Sequence, residues 1–227
     1  MPWEGNWVVV VLVILALLVA AYLLGSLPTG YLVARGLKGI DIRRHGSGST
    51  GATNVLRTVG KGPALLVFTV DLLKGTLAVW LVKGTIALLP AAVLPVGGGF
   101  GVQPWLEMVA GLMAILGHSR SVWLGFSGGK SVATGLGVLL ALAWPVALGA
   151  LGVFALSLGW SRFVSLSSIL AAIATLALMV LTGQPLAYQL LAALGGIYII
   201  VRHRSNISRL LAGTEPRLGQ ATDHSAG

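Results

Sequence analysis

Residues 7–25 read WVVVVLVILALLVAAYLLG, nineteen positions without a charge. A helix needs about 20 apolar residues to cross roughly 30 Å of hydrocarbon, so this stretch is long enough to span a bilayer. It is not preceded by the basic flank of a secretory leader, because MPWEGNW at residues 1–7 holds an acid and no Lys or Arg. It is therefore expected to be a permanent helix with its N-terminus outside. The rest of the 227-residue chain has the same character: 56% of its residues are hydrophobic and 9% charged, with a mean hydropathy of +0.92. Such a chain lacks the polar residues to coat a water-soluble surface, which excludes a soluble enzyme or a disordered chain. Without Cys, disulfides, thiol nucleophiles and cysteine metal sites are excluded as well. Six Asp and Glu leave little for a carboxylate metal cage.

Further apolar runs cover 62–82, 104–117, 132–143, 145–160, 163–181 and 186–201. Pro145 makes the fourth and fifth runs a broken or tightly turned pair, both short for the hydrocarbon. Residues 85–96 are apolar but carry Pro90 and Pro95, which suggests a re-entrant or interfacial piece. The expected architecture is an all-α polytopic membrane protein of about seven transmembrane helices, some short or broken. It forms one integral-membrane domain over 1–227, with 216–227 as a disordered tail. Seven spans place thirteen of the fifteen Lys and Arg on one side. The positive-inside rule makes that side, and the C-terminus, cytoplasmic. The formal charge of +9 is thus explained by topology, without nucleic acid. Small-residue pairs such as Ala192/Gly196 and Ser26/Gly30 suggest close helix crossings. Trp3, Trp7, Trp105, Trp123, Trp144 and Trp160 fall near span ends, as interfacial tryptophans do.

Four polar stretches interrupt this pattern on the basic side. GSGSTGATNVLR at 46–57 joins glycines, whose amides can form an anion nest, to the hydroxyls of Ser47 and Thr53 and to Asn54 and Arg57. The blander reading is a flexible linker. FSGGKS at 126–131, after Gly117-His118, places Gly128 and Gly129 before Lys130. It reads either as a phosphate cradle or as an interface loop with a snorkelling lysine. It is not a Walker A loop, since Leu124 stands where the first glycine belongs. Ser165 follows Arg162, which alone suggests helix packing. In 202–209, His203 and Asn206 share a helical face within a basic run that otherwise suits lipid headgroups. Asp71 and Lys74, inside the second span, read as a structural ion pair or as a catalytic one. His45 and His224 lie in polar segments without partners in the pattern.

Taken in order, GSGSTGATNVLR (46–57), GH (117–118) with FSGGKSVAT (126–134), RFVSLSSI (162–169) and HRSNISRLLAGTE (203–215) resemble the PlsY family. Asp71-Leu72-Leu73-Lys74-Gly75 is similar to that family's second-span motif. These are bacterial acyl-phosphate-dependent glycerol-3-phosphate acyltransferases. The resemblance covers nearly the whole chain; it departs at Ser49, where many members have Asn. It implies transfer of a fatty acyl group from acyl phosphate to the sn-1 hydroxyl of glycerol 3-phosphate, giving lysophosphatidic acid and phosphate. The implied setting is the bacterial inner membrane, with the site facing the cytoplasm.

By resemblance, Ser47, Thr53, Asn54 and Arg57 bind phosphate or orient substrate. Gly128, Gly129 and Lys130 form a second cradle, Ser165, His203 and Asn206 complete the pocket, and Glu215 supports the fold. Acyl phosphate is an activated mixed anhydride, so neither cofactor nor metal is expected. The reaction needs control of phosphate charge and alignment of one hydroxyl. His118, His203 or a substrate phosphate oxygen is the proton acceptor. The partners implied are the two substrates, membrane lipid and a possible soluble enzyme that forms acyl phosphate. Independently of the resemblance, the His-x4-Asp pattern of thioester-using acyltransferases is missing: Thr50, Trp123 and Ser208 stand five residues after His45, His118 and His203. A small-molecule or ion transporter is the alternative, motivated by Asp71, Lys74 and the break at Pro145. A lipid-recruiting scaffold, acting only through the basic tail, is a third reading.

Overall fold

The computed structural model describes residues 6–88 and 101–220. Every regular element among them is helical. In chain order these are α1 (Asn6–Ser26), α2 (Thr29–Lys38), α3 (Ala52–Thr58), α4 (Lys61–Leu88) and α5 (Gln103–Ser119). They continue with α6 (Val132–Leu142), α7 (Trp144–Ser161), α8 (Val164–Leu181), α9 (Leu186–Arg202) and α10 (Arg204–Leu211). Two 3₁₀ turns, Ile42–Arg44 and Val122–Leu124, lie in the loops.

All seven apolar runs are helices, namely α1 and α4 to α9. By length and composition four helices are able to cross a membrane: Trp7–Lys38, α4, α7 and α8. A fifth is added if α9 and α10, bent by 59°, are taken together. At 17 and 11 residues, α5 and α6 are shorter, so the seven helices include only four or five of spanning length. Residues 85–88 are the end of α4 rather than a separate re-entrant piece. The following stretch through residue 100, Trp3, His224 and 221–227 lie outside the described residues.

Pro28 separates α1 from α2, because its ring cannot continue a helix. The turn after α2 closes on Gly39, whose φ of 67° suits a residue without Cβ. Pro145 sits in the first turn of α7, where no amide donor is lost. Only Ala143 separates α6 from α7, so this pair is tightly turned rather than unwound.

The helices pack in a circuit, α1 on α5, α5 on α9, then α8, α7, α6, α4 and back to α1. Two of these crossings are made by facing glycines. A Cβ on Gly25 would strike the backbone of Ala114, and one on Gly117 the backbone of Tyr22 and Ser26. Between α4 and α6, Gly75 faces Thr134 and Gly137 faces Leu72 in the same way. Thr76 Oγ1 bonds Gly137 O there at 2.9 Å. In lipid, helix association relies on such close approach. The pairs suggested by sequence act differently: Gly30 packs on Thr50 of a loop, and Gly196 makes only ordinary contact with Ala172. The outward faces are apolar, as Leu12, Leu15 and Val19 of α1 illustrate. Trp105, Trp123, Trp144 and Trp160 are likewise exposed.

Candidate active site

The loop between α2 and α3 is shaped by one side chain. Asn54 Oδ1 accepts from the Ser47 amide at 3.0 Å. Its Nδ2 donates to Ile42 O at 3.3 Å, His45 O at 3.0 Å and Ser49 O at 2.8 Å. Gly46 allows this, since a Cβ there would collide with the Asn54 amide. Asn54 therefore spends its hydrogen bonds on the loop, which presents Ser47, Ser49, Thr53 and Arg57 to a cleft. Arg57 is steered by a 3.3 Å bond from Nη2 to Pro216 O.

Opposite, Lys130 is carried by a loop that enters α6 through Ser131 at φ 62°. That left-handed conformation is uncommon for a residue with a Cβ, and Ser131 Oγ is held by Ile115 O at 2.7 Å. Lys130 Nζ donates to Asn206 Oδ1 at 2.6 Å. Asn206 Nδ2 and Ser165 Oγ each donate to Glu215 Oε1 at 2.7 Å, and Arg209 Nε to Oε2 at 2.8 Å. Glu215 thus ties α8, α10 and the C-terminal loop around Lys130. Burial pushes its carboxyl up, but the bonds from Asn206, Ser165 and Arg209 outweigh this and hold it below the usual range. Burial pulls the Lys130 ammonium down to about 8, with Glu215 opposing and Arg209, Arg57 and Arg202 assisting.

His203 bonds Ile199 O through Nδ1 at 2.8 Å. Burial lowers it to about 4 despite that bond, so the ring is neutral at neutral pH. With Nδ1 as the donor, Nε2 carries the lone pair. His118 is packed differently. Its Nδ1 lies 3.6 Å from Asp71 Oδ1, and its Nε2 side lies against Gly129.

The glycines of the second loop make bonds within the protein. The Gly129 amide donates to His118 O at 3.1 Å, and Arg202 Nη2 binds the carbonyls of Gly128 and Gly129 at 3.3 and 3.1 Å. A side chain at either position would collide with His118. Their absence of Cβ serves to seat this loop on α5.

The cleft, of about 140 Å3, brings together Ser47, Thr53, Asn54, Arg57, Asp71, His118, Lys130, Ser165, His203, Asn206 and Glu215. Gly128, Gly129 and Lys74 are not in its wall. Lys74 Nζ pairs with Asp71 Oδ1 at 2.8 Å and donates to Leu27 O, at the α1–α2 break, at 3.0 Å. Through Lys74 the midspan pair thus ties α4 to the α1–α2 break. Residues expected to begin the disordered tail are held in part: Leu218 N bonds Arg162 O at 2.7 Å, and Arg217 lies over the Phe163 ring.

A second, apolar cavity of about 130 Å3 runs between α6, α7, α8 and α9. It shares Phe68, Val132, Ala133, Phe154 and Ser168 with the cleft, so the two are continuous. The sequence reading missed Phe68 and Phe154. The available signal was positional for Phe68 alone, which stands three residues before Asp71 on one helical face.

Residues 15–213 match the family model for glycerol-3-phosphate acyltransferase. The chain belongs to that family. It is 60% identical over 210 residues to the glycerol-3-phosphate acyltransferase of Acaryochloris marina, covering 90% of this chain and 92% of the relative. The enzyme of Trichormus variabilis is 58% identical over 207 residues, with the same coverage. Two crystal structures of PlsY, an integral membrane glycerol 3-phosphate acyltransferase, share the fold at 41% identity. The glycerol 3-phosphate form superposes with a TM-score of 0.80, covering 91% of this chain and 96% of PlsY. The lysophosphatidic acid form gives 0.78 over 91% and 95%. This glycerol-3-phosphate acyltransferase family member is thus an acyltransferase and a multi-pass membrane protein.

Proposed function

We propose that this protein transfers a fatty acyl group from acyl phosphate to the sn-1 hydroxyl of glycerol 3-phosphate, releasing lysophosphatidic acid and phosphate. The observation that carries this reading is the joining of a cationic cleft to an apolar groove. The groove suits an alkyl chain and the cleft suits phosphate groups. Their junction at Phe68 and Phe154 is where an acyl carbonyl linking the two would lie.

In this reading Lys130 and Arg57 take phosphate charge, with Ser47 and Thr53 adding hydroxyl donors. Asn206, Ser165 and Glu215 orient Lys130. Asn54 shapes the loop that carries Ser47 and Thr53. Gly128 and Gly129 position Lys130 and His118 by close packing. The hydroxyl oxygen attacks the acyl carbonyl carbon, the carbonyl carbon–oxygen bond to phosphate breaks, and the hydroxyl proton passes to a phosphate oxygen. His203 Nε2 accepts the hydroxyl's hydrogen bond and aims it. A ring at about 4 is a weak base at neutral pH, which favours the phosphate as final acceptor. His118, covered by Asp71 and Gly129, supports the loop rather than taking the proton.

The basic end of the bundle faces the cytoplasm of a bacterial inner membrane, by the positive-inside rule. A soluble enzyme that makes acyl phosphate would meet the cleft there. The test uses purified protein in detergent, where no compartments exist and a transporter has no output. With palmitoyl phosphate and glycerol 3-phosphate, the expected result is lysophosphatidic acid and phosphate in equal amounts. Phosphate release without lipid product would refute acyl transfer.

A further inference from the structure

At the end of the bundle away from the cleft lies a second polar cluster. Glu107 of α5 is fully buried. It accepts hydrogen bonds from the Tyr188 hydroxyl of α9 and from Gln103 Nε2 at 2.7 Å. Lys83 of α4 stands 3.6 Å from its Oε2 and donates to Ala141 O of α6 at 2.7 Å. One carboxylate therefore fastens α9 to α5, and through Lys83 draws in α4 and α6. A charge taken into a membrane bundle is costly unless partnered, and nothing in the acyl transfer uses this one.

Its position relative to the apolar groove gives it a use. The groove's innermost residues on α6, α7, α8 and α9 are Leu139, Ala150, Thr175 and Leu191. Leu139 stands two residues before Ala141 and Leu191 three after Tyr188, so both grow from the fastened turns. Leu191 is further clamped, because Gly111 of α5 lets it lie flush where a Cβ would meet its Cδ1. Beyond this layer the bundle is filled by Met179, Val146 and Ala147. From Val132 to Leu139, and from Ser168 to Thr175, the wall extends seven helical steps, roughly 10 Å at about 1.5 Å per residue. That is less than an extended palmitoyl chain.

We infer that Leu139 and Leu191, held in place by the Glu107 cluster, form the floor of the acyl groove and govern discrimination by acyl chain length. This rests on the reading of the groove as the acyl site. Leu139 and Leu191 touch the end of the chain, and Glu107, Tyr188 and Lys83 are positioning residues acting through them.

The test compares each variant with the unaltered protein across butyryl, hexanoyl, decanoyl, myristoyl and palmitoyl phosphate, so that partition into detergent cancels in the ratio. Ala150→Leu raises the floor. Its kcat/KM ratio is expected to stay near that of the parent for butyryl phosphate and to fall about tenfold for chains that reach the floor, since each methylene denied burial costs about three- to fourfold. Leu191→Ala lowers the floor, and its ratio is expected to rise with chain length. Tyr188→Phe releases α9 and is expected to flatten the discrimination. In all three the KM for glycerol 3-phosphate stays within about twofold, because the sites are well separated. Ratios that are the same for every chain length in both folded floor variants would overturn the inference while leaving the acyl reading intact. No turnover of any acyl phosphate by the unaltered protein would overturn the acyl reading, and the inference with it.

Discussion

Lys130→Met is expected to lower kcat/KM for glycerol 3-phosphate by about a hundred- to a thousandfold, the usual cost of removing a preorganised charge from a reacting group. The substitution leaves Asn206 Oδ1 without the donor now 2.6 Å away but keeps the Glu215 hub, whose bonds come from Asn206, Ser165 and Arg209. Stability follows the opposite course. The Lys130 ammonium is depressed to about 8 by burial and by neighbouring arginines, so its charge opposes folding. That penalty is present in full below about 8 and fades as pH rises toward the lysine's ordinary value. At neutral pH the Met variant should therefore unfold at a Tm equal to or above that of the parent. Activity against pH supplies the companion result. In the free enzyme, kcat/KM falls as pH rises through about 8, where the ammonium is lost. A bound phosphate raises the lysine, so kcat persists to higher pH. Lys130→Arg, always charged, removes the fall above 8 even if its absolute rate is lower. A pH profile measured on the two proteins in detergent checks each statement.

Asp71→Asn is expected to be the most damaging single change to the fold. Asp71 and Lys74 are 1% and 3% exposed and 2.8 Å apart. Removing one member of a buried pair strands the other charge, at about 3–5 kcal/mol. Lys74 keeps only its bond to Leu27 O, which is then left to hold the α1–α2 break to α4 with an unneutralised ammonium. The double substitution Asp71→Asn with Lys74→Met should recover much of the loss, because the stranded charge is gone. A fall in Tm for the single variant that the double variant reverses is the expected pattern. Equal Tm values for Asp71→Asn and the parent would contradict the assignment of this pair as a fastening.

Much of this was readable from residues. The apolar runs located seven helices, α1 and α4 to α9, to within about six residues at each end, because a membrane-buried helix is apolar all round and its ends are marked by charge, Gly and Pro. The motifs gave the cleft, since Arg57, Lys130, His203, Asn206 and Glu215 are polar residues at one end of an otherwise apolar chain. What each polar group does was less legible. Asn54 and the Gly128-Gly129 pair read as substrate contacts, yet the Asn54 side chain, the Gly129 amide and both glycine carbonyls bond the protein itself, and only three-dimensional partners reveal this. The acyl groove left no motif because its wall is leucine, alanine and glycine drawn from four helices, the same residues that fill any membrane core. Glu107 and Lys83 are distant in sequence and join only through the packing of α4 on α5. The crossings at Gly25/Gly117 and Gly75/Gly137 also depend on which faces meet, which small-residue spacing within one helix does not determine.

The choice of acyl donor tests the account most directly. Purified protein receives labelled glycerol 3-phosphate with palmitoyl phosphate in one tube and palmitoyl-CoA in another, without added metal. The proposed phosphate-binding role of the cleft, with no His-x4-Asp pattern at His45, His118 or His203, predicts lysophosphatidic acid in the palmitoyl phosphate tube alone. Product only in the palmitoyl-CoA tube, or in neither tube from folded protein, would contradict it.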